Sequence, residues 1–129
     1  MNILLDTHTL LWLVSKPSNL DPETLAILSD PGTSVWITAA SAWEIATKTR
    51  LGRLDGAALL STWAEVIADM SSTELAIDSA DAILAGRLPW EHRDPFDRII
   101  VAQALRRNLT IATRDAKIID AAITPTLMA

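Results

Sequence analysis

The chain has 129 residues, half of them apolar, with no cysteine and 16 acidic against 11 basic side chains, a formal net charge of -5. That length and apolar content suit one domain spanning residues 1–129, and the missing thiols exclude a disulfide scaffold and a thiolate metal centre while fitting a reducing cytoplasm. So acidic a field repels nucleic acid and counts against a simple nucleic-acid binder, but less against an enzyme whose carboxylates gather divalent cations, because bound ions reverse the local field.

The opening MNILLDTHTLLWLVS has no basic leader, carries Asp6 and His8 among its apolar residues and is too short to span a bilayer, so it reads as neither signal peptide nor membrane anchor. Asn2 to Leu5 form a short apolar run that stops at Asp6, the pattern of a buried parallel strand. Thr7 or Thr9 then caps a helix carrying Leu10, Leu11, Trp12 and Val14. Lys16 to Asn19 break it, and Asp21-Pro22 opens a second helix through Leu28. Ser34–Thr38 is the second strand, followed by a helix from about Ser41 to Thr49 that starts on a Ser41/Glu44 capping box.

Beyond Gly52, residues 55–70 read as one amphipathic helix with Leu59, Leu60, Trp63, Val66 and Ile67 on its apolar side. Leu75–Ile77 is a third strand and Ser79–Arg87 a short helix. Asp94-Pro95 opens a helix that runs to about Arg107 and stops at Asn108. Leu109–Thr113 is the fourth strand, Asp115 or Ala116 starts a brief helix, and Ala122–Thr124 is an edge strand halted by Pro125. Strands alternating with helices imply parallel βαβ units. The expected fold is therefore α/β, a three-layer α/β/α sandwich around a central parallel sheet of about five strands.

In such sheets ligands sit beyond the carboxyl ends of the strands. Asp6 ends the first strand, Glu44 follows the second, and Asp97 lies in the first turn of the helix before the fourth. Asp115 comes two residues after that fourth strand, so all four acids should share one edge. Each alone has a local use as a turn residue, capping partner, dipole complement or N-cap. Together they repel and raise one another's pKa unless a cation lies among them, and oxygen-only donors suit Mg²⁺ or Mn²⁺. His8 is more naturally a packing or solvent-facing residue than a ligand.

Four stretches, LLDTHTLLW, SAWEIATKTRLGRL, DPFDRIIVAQAL and TIATRD, occur in one order between positions 4 and 115. Together they resemble the PIN-domain family and, more narrowly, the VapC-type toxins of bacterial toxin-antitoxin pairs. The resemblance implies an endoribonuclease that depends on Mg²⁺ or Mn²⁺ and is blocked by a cognate antitoxin protein. By matching motif positions it makes Asp6, Glu44, Asp97 and Asp115 the catalytic, metal-binding acids. Thr113 matches a hydroxyl that orients an acid or a water, and Asp94 is either a helix cap or a further ligand. Candidate RNA contacts are Arg98, foremost because it belongs to DPFDR, with Arg114, Lys48, Arg50, Arg53, Arg93 and Lys117.

Trp12, Trp36, Trp43 and Trp63 fall in apolar runs and are expected in the core, whereas Trp90 lies in a loop, free to stack on RNA, meet a partner or cover the core. An apolar groove between the early helices would suit the antitoxin or a homodimer. Two rival readings remain. One is a phosphoryl-transfer domain with an aspartate at the first strand end, which LLDTHT fits poorly. The other is a non-catalytic RNA- or protein-binding module of the same fold.

Overall fold

A computed structural model describes residues 1–129. Five strands alternate with eight α-helices in the order β1 (Asn2–Leu5), α1 (Thr7–Ser15), α2 (Pro22–Ser29), β2 (Ser34–Thr38), α3 (Ala39–Arg50), α4 (Ala57–Ser61), α5 (Trp63–Asp69), β3 (Thr73–Leu75), α6 (Ser79–Arg87), α7 (Pro95–Arg107), β4 (Thr110–Thr113), α8 (Ala116–Ala121) and β5 (Thr126–Met128). The strands are all parallel, in the order β3-β2-β1-β4-β5.

Alternation along β1 divides the core into two layers. Ile3 and Leu5, with Val35, Ile37 and Ala112, face Leu10, Leu28, Ile45 and Ile67 from α1, α2, α3 and α5. Leu4 and Ile111 face Ala85, Ile100, Val101 and Ile118 from α6, α7 and α8. Helices thus cover both faces, the three-layer α/β/α arrangement expected from the alternating pattern.

Four local expectations need correction. The helix after β2 begins at Ala39, because Thr38 caps it through a bond from Ala40 N–H to its hydroxyl; Ser41 is inside that helix, its hydroxyl 3.0 Å from that of Thr7, and forms no capping box. The single helix expected over 55–70 is two. Thr62 leaves helical geometry and its hydroxyl donates to the Ala58 carbonyl, a side-chain bond that competes with the backbone ladder. The third strand ends at Leu75, since its partner Thr38 is the last residue of β2 before α3 and the Ala76 carbonyl accepts from the Gln103 side chain instead. The last strand lies after Pro125, because Ala122 takes a left-handed conformation (φ 50°) to terminate α8.

A buried polar network ties α6, α7 and β2 together. Gln103 contacts Thr38 and donates to the fully buried Asp81. Burial alone would push the Asp81 carboxyl up, but hydrogen bonds from Arg107, Gln103 and Arg106 hold it well below the usual carboxylate range. Thr38 therefore serves two ends, fixing both the start of α3 and the position of α7, the two helices that carry Glu44 and Asp97.

Candidate active site

At the carboxyl edge of the sheet, Asp6, Glu44, Asp97 and Asp115 line one cavity of about 450 Å³, with Asp94 and Lys48 also in its wall. Three of these acids are helix N-caps, which explains how such different parts of the chain converge. Asp6 starts α1 by accepting from Thr9 N–H at 2.9 Å, correcting the expectation that Thr7 or Thr9 is the cap. Asp94 starts α7 by accepting from Phe96 and Asp97 N–H, and Asp115 starts α8 by accepting from Lys117 N–H. Helix N-termini carry partial positive charge, so each acid sits where its own helix favours it.

Thr113 joins two of the acids. Its hydroxyl donates to Asp6 Oδ2 at 2.5 Å and accepts from Asp115 N–H at 3.0 Å, with the side chain fully buried. Burial pushes the Asp6 carboxyl up, against the pull of the Thr113 and Thr9 hydrogen bonds. Asp97 is pushed up to about 6 by burial and by the charges of Asp94, Asp115 and Glu44, with a hydrogen bond from His92 acting the other way. A carboxyl that far above its ordinary range, in a cavity walled by other acids, is one that a cation would relieve.

Glu44 occupies a different position from its neighbours. It is buried six residues into α3 rather than in the first turn; Lys48, one turn on, pairs with its Oε2, while Oε1 is buried with no hydrogen-bond partner. An unpartnered buried carboxylate oxygen is costly and fits a cation ligand. The four acids are not drawn into one tight cluster, however. The only group of three or more His, Cys, Asp or Glu residues whose ligand atoms lie within 4.8 Å of one another is His92, Asp94 and Asp97.

His92 was not among the residues singled out from sequence. Its Nε2–H donates to Asp97 Oδ2 at 2.7 Å. Its place five residues before Asp97 is the only signal the sequence offers, and a histidine at that spacing outside a helix predicts no contact. His8 is exposed at the cavity rim, its ring 5.3 Å from that of Trp12.

The cations fall into three groups. Lys48 and Arg114 line the acidic cavity, Arg114 lying 4.5 Å over the Trp12 ring and donating to the carbonyls of Asn19 and Ala129. Arg50, exposed at the end of α3, does not line it. Arg98 requires the largest revision: its guanidinium points away from the acids and donates to the carbonyls of Ala85, Leu88, Trp90 and His92 at 2.7 to 2.9 Å. With those donors engaged it braces the loop between α6 and α7, and the expected phosphate contact gives way to that role. Among the aromatics, Trp43 is 50% exposed rather than buried, packed edge-on against Phe96 at 4.6 Å; Trp12, Trp36 and Trp63 are half-buried against the core.

No helix is long and apolar enough to cross a membrane. A family model described as the PIN domain matches residues 3–123, whereas no curated protein sequence matches significantly. Among solved structures, VapBC2 from Rickettsia felis bound to a DNA fragment from their promoter is similar with a TM-score of 0.72 at 14% identity, over 98% of each chain. A toxin-antitoxin complex from Klebsiella pneumoniae gives 0.68 at 20% identity, over 98% of this chain and 96% of that one. FitAcB from Neisseria gonorrhoeae gives 0.61 at 22% identity, over 98% and 96%. At these identities the likeness establishes a common fold.

Proposed function

The chain belongs to the PIN-domain family, and from that premise we propose that it is a VapC-type toxin: a cytoplasmic endoribonuclease dependent on Mg²⁺ or Mn²⁺ and restrained by a cognate antitoxin. The observation that carries this reading is the convergence of Asp6, Glu44, Asp97 and Asp115, from four separate elements, on one cavity. Antitoxin restraint rests on the likeness to VapBC2 and to the Klebsiella toxin-antitoxin complex, and a homodimer remains part of the proposal.

The residues present fit a hard divalent cation. The donors are carboxylates, one buried Glu44 oxygen has no partner, and the Asp97 carboxyl is driven up by its acidic neighbours. Asp6, Glu44 and Asp97 would hold the cation, with Asp115 completing that set or a second one. A bound Mg²⁺ or Mn²⁺ supplies charge neutralisation at the phosphate and an acidified water for phosphodiester hydrolysis. The chain's part is orientation: Thr113 and Thr9 fix the two oxygens of Asp6, and His92 fixes Asp97. Lys48 and Arg114 are the cations placed to meet phosphate.

One observation favours a second reading, a non-catalytic binding module. Lys48 already sits on Glu44, as a built-in cation would. Incubating purified protein with total bacterial RNA and Mg²⁺, Mn²⁺ or EDTA separates the two. The ribonuclease reading expects a discrete metal-dependent cut that Asp97→Asn abolishes and Asp94→Asn, which keeps a capping side chain, retains. Absence of cutting under either metal, or cutting by Asp97→Asn equal to wild type, would move the binding-module reading to the front.

A further inference from the structure

Beside the acidic cavity, and sharing Asp94 with it, lies a more open one of about 970 Å³. Resting on the ribonuclease reading, we propose that this second cavity seats a nucleotide of single-stranded RNA next to the scissile phosphate, its base on Trp90 and His92 and its phosphates on Arg93 and Lys117.

The wall is built to be rigid. The rings of Trp90 and His92 have centroids 4.9 Å apart and planes tilted by 53°, so a base stacked on Trp90 meets the edge of His92, and Trp90 packs from behind against the core layer under α7. Arg98 pins the carbonyls of both residues, together with those of Ala85 and Leu88, so the segment presenting the rings is braced along its length. A fixed aromatic surface stacks any base, but only one unstacked from its neighbours can reach into a concave site, which selects single strands over duplex.

The charges agree with that occupant. Arg93 on the loop and Lys117 on α8 both line the cavity, are exposed, and take part in none of the chain's ion pairs, which involve Lys48, His92, Arg106 and Arg107. Glu91 and Asp120 line it as well, so its field is not broadly basic and attraction for phosphate is confined to two points. Asp94, three residues before Asp97, lines both cavities, so the seated nucleotide lies beside the acidic one.

The test uses a short single-stranded RNA of about 12 nucleotides carrying 4-thiouridine, photocrosslinked to the wild-type protein in EDTA, with the crosslinked residues mapped by mass spectrometry. Crosslinks at Trp90 or His92 are expected. Affinity should fall about 5- to 100-fold in Trp90→Ala, with Trp90→Phe largely restoring it. Replacing Arg93 and Lys117 together by Ala should lower the slope of log affinity against log salt by about 0.7 per cation removed, whereas Lys16→Ala leaves it unchanged. Crosslinks confined to other regions, no crosslinks at all, or an unchanged salt slope in the double variant overturn the assignment, and the cavity is then left to a protein segment. Metal-dependent RNA cleavage without crosslinks here refutes the subsite and keeps the ribonuclease reading; crosslinks here without any cut keep an RNA-binding cavity but refute the ribonuclease reading and, with it, a place beside a scissile phosphate.

Discussion

Removing the charge of Asp97 should make the metal-free protein more stable while destroying its response to metal. The Asp97 carboxyl is raised from 3.8 to about 6, chiefly by burial and then by the acids around it. Each pKa unit corresponds to about 1.36 kcal/mol, so ionising this side chain in the fold costs about 3 kcal/mol near neutral pH. Only 15% of the side chain is exposed, so solvent screens little of that. Because the folded pKa lies above the unfolded one, the protonated group's contribution is present below about pH 4 and lost as pH rises through about 6. Asp97→Asn escapes the loss and can still accept from His92. At about 2.1 cal/mol/K per residue, the unfolding entropy of 129 residues turns about 1–3 kcal/mol into a rise in Tm of about 4–11 °C. The assay is thermal unfolding in EDTA at about pH 7.5 and pH 4, repeated at the higher pH with saturating Mn²⁺. Wild type should gain about 3 kcal/mol from the cation at a hundredfold excess over Kd, and the variant far less. A variant that melts at or below wild type in EDTA at the higher pH would falsify the claim that Asp97 is held under electrostatic stress.

Three further outcomes are expected. Lys48→Met, by freeing Glu44, should tighten Mn²⁺ binding about two- to fivefold in calorimetric titration, the scale of one partly exposed ion pair, while slowing RNA cleavage if Lys48 also meets phosphate. Thr113→Val should cost about 1–3 kcal/mol in denaturant unfolding and weaken metal binding, because the Asp6 carboxylate loses a donor and the Asp115 backbone N–H loses its acceptor; Thr113→Ser should recover most of it. Arg98→Lys should behave nearly as badly as Arg98→Ala, since an ammonium cannot reach four diverging carbonyls, and limited proteolysis should then cut between residues 85 and 93.

The parts of the fold that were readable from sequence are those specified within a few residues. Asp21-Pro22 and Asp94-Pro95 announce helix starts by their own capping chemistry, and Asn108 ends α7 in a left-handed turn that asparagine tolerates. Strand ends escape a local reading where a distant partner decides them: Leu75 stops β3 because its partner Thr38, far away in sequence, is the last residue of β2 before α3. The same division runs through the site. Asp6, Asp94 and Asp115 are legible because a carboxylate at a strand or loop end before a helix is a local pattern. The His92 bond to Asp97, the inward turn of Arg98 and the unpartnered oxygen of Glu44 depend on packing between helices, which periodicity does not encode.

The position of β1 sets the order in which these pieces can come together. Its neighbours in the sheet are β2 on one side and β4 on the other, and the Thr113 hydrogen bond to Asp6 spans 107 residues. Contacts so remote close late and slowly, since the loop entropy must be met before they return anything. The segments up to α3 can therefore assemble around β1 and β2 before Asp97 and Asp115 are in place. The cavity that Asp6, Glu44, Asp97 and Asp115 line is complete only once β4 lies beside β1, and under the proposed toxin reading that moment bounds the time available to supply an antitoxin.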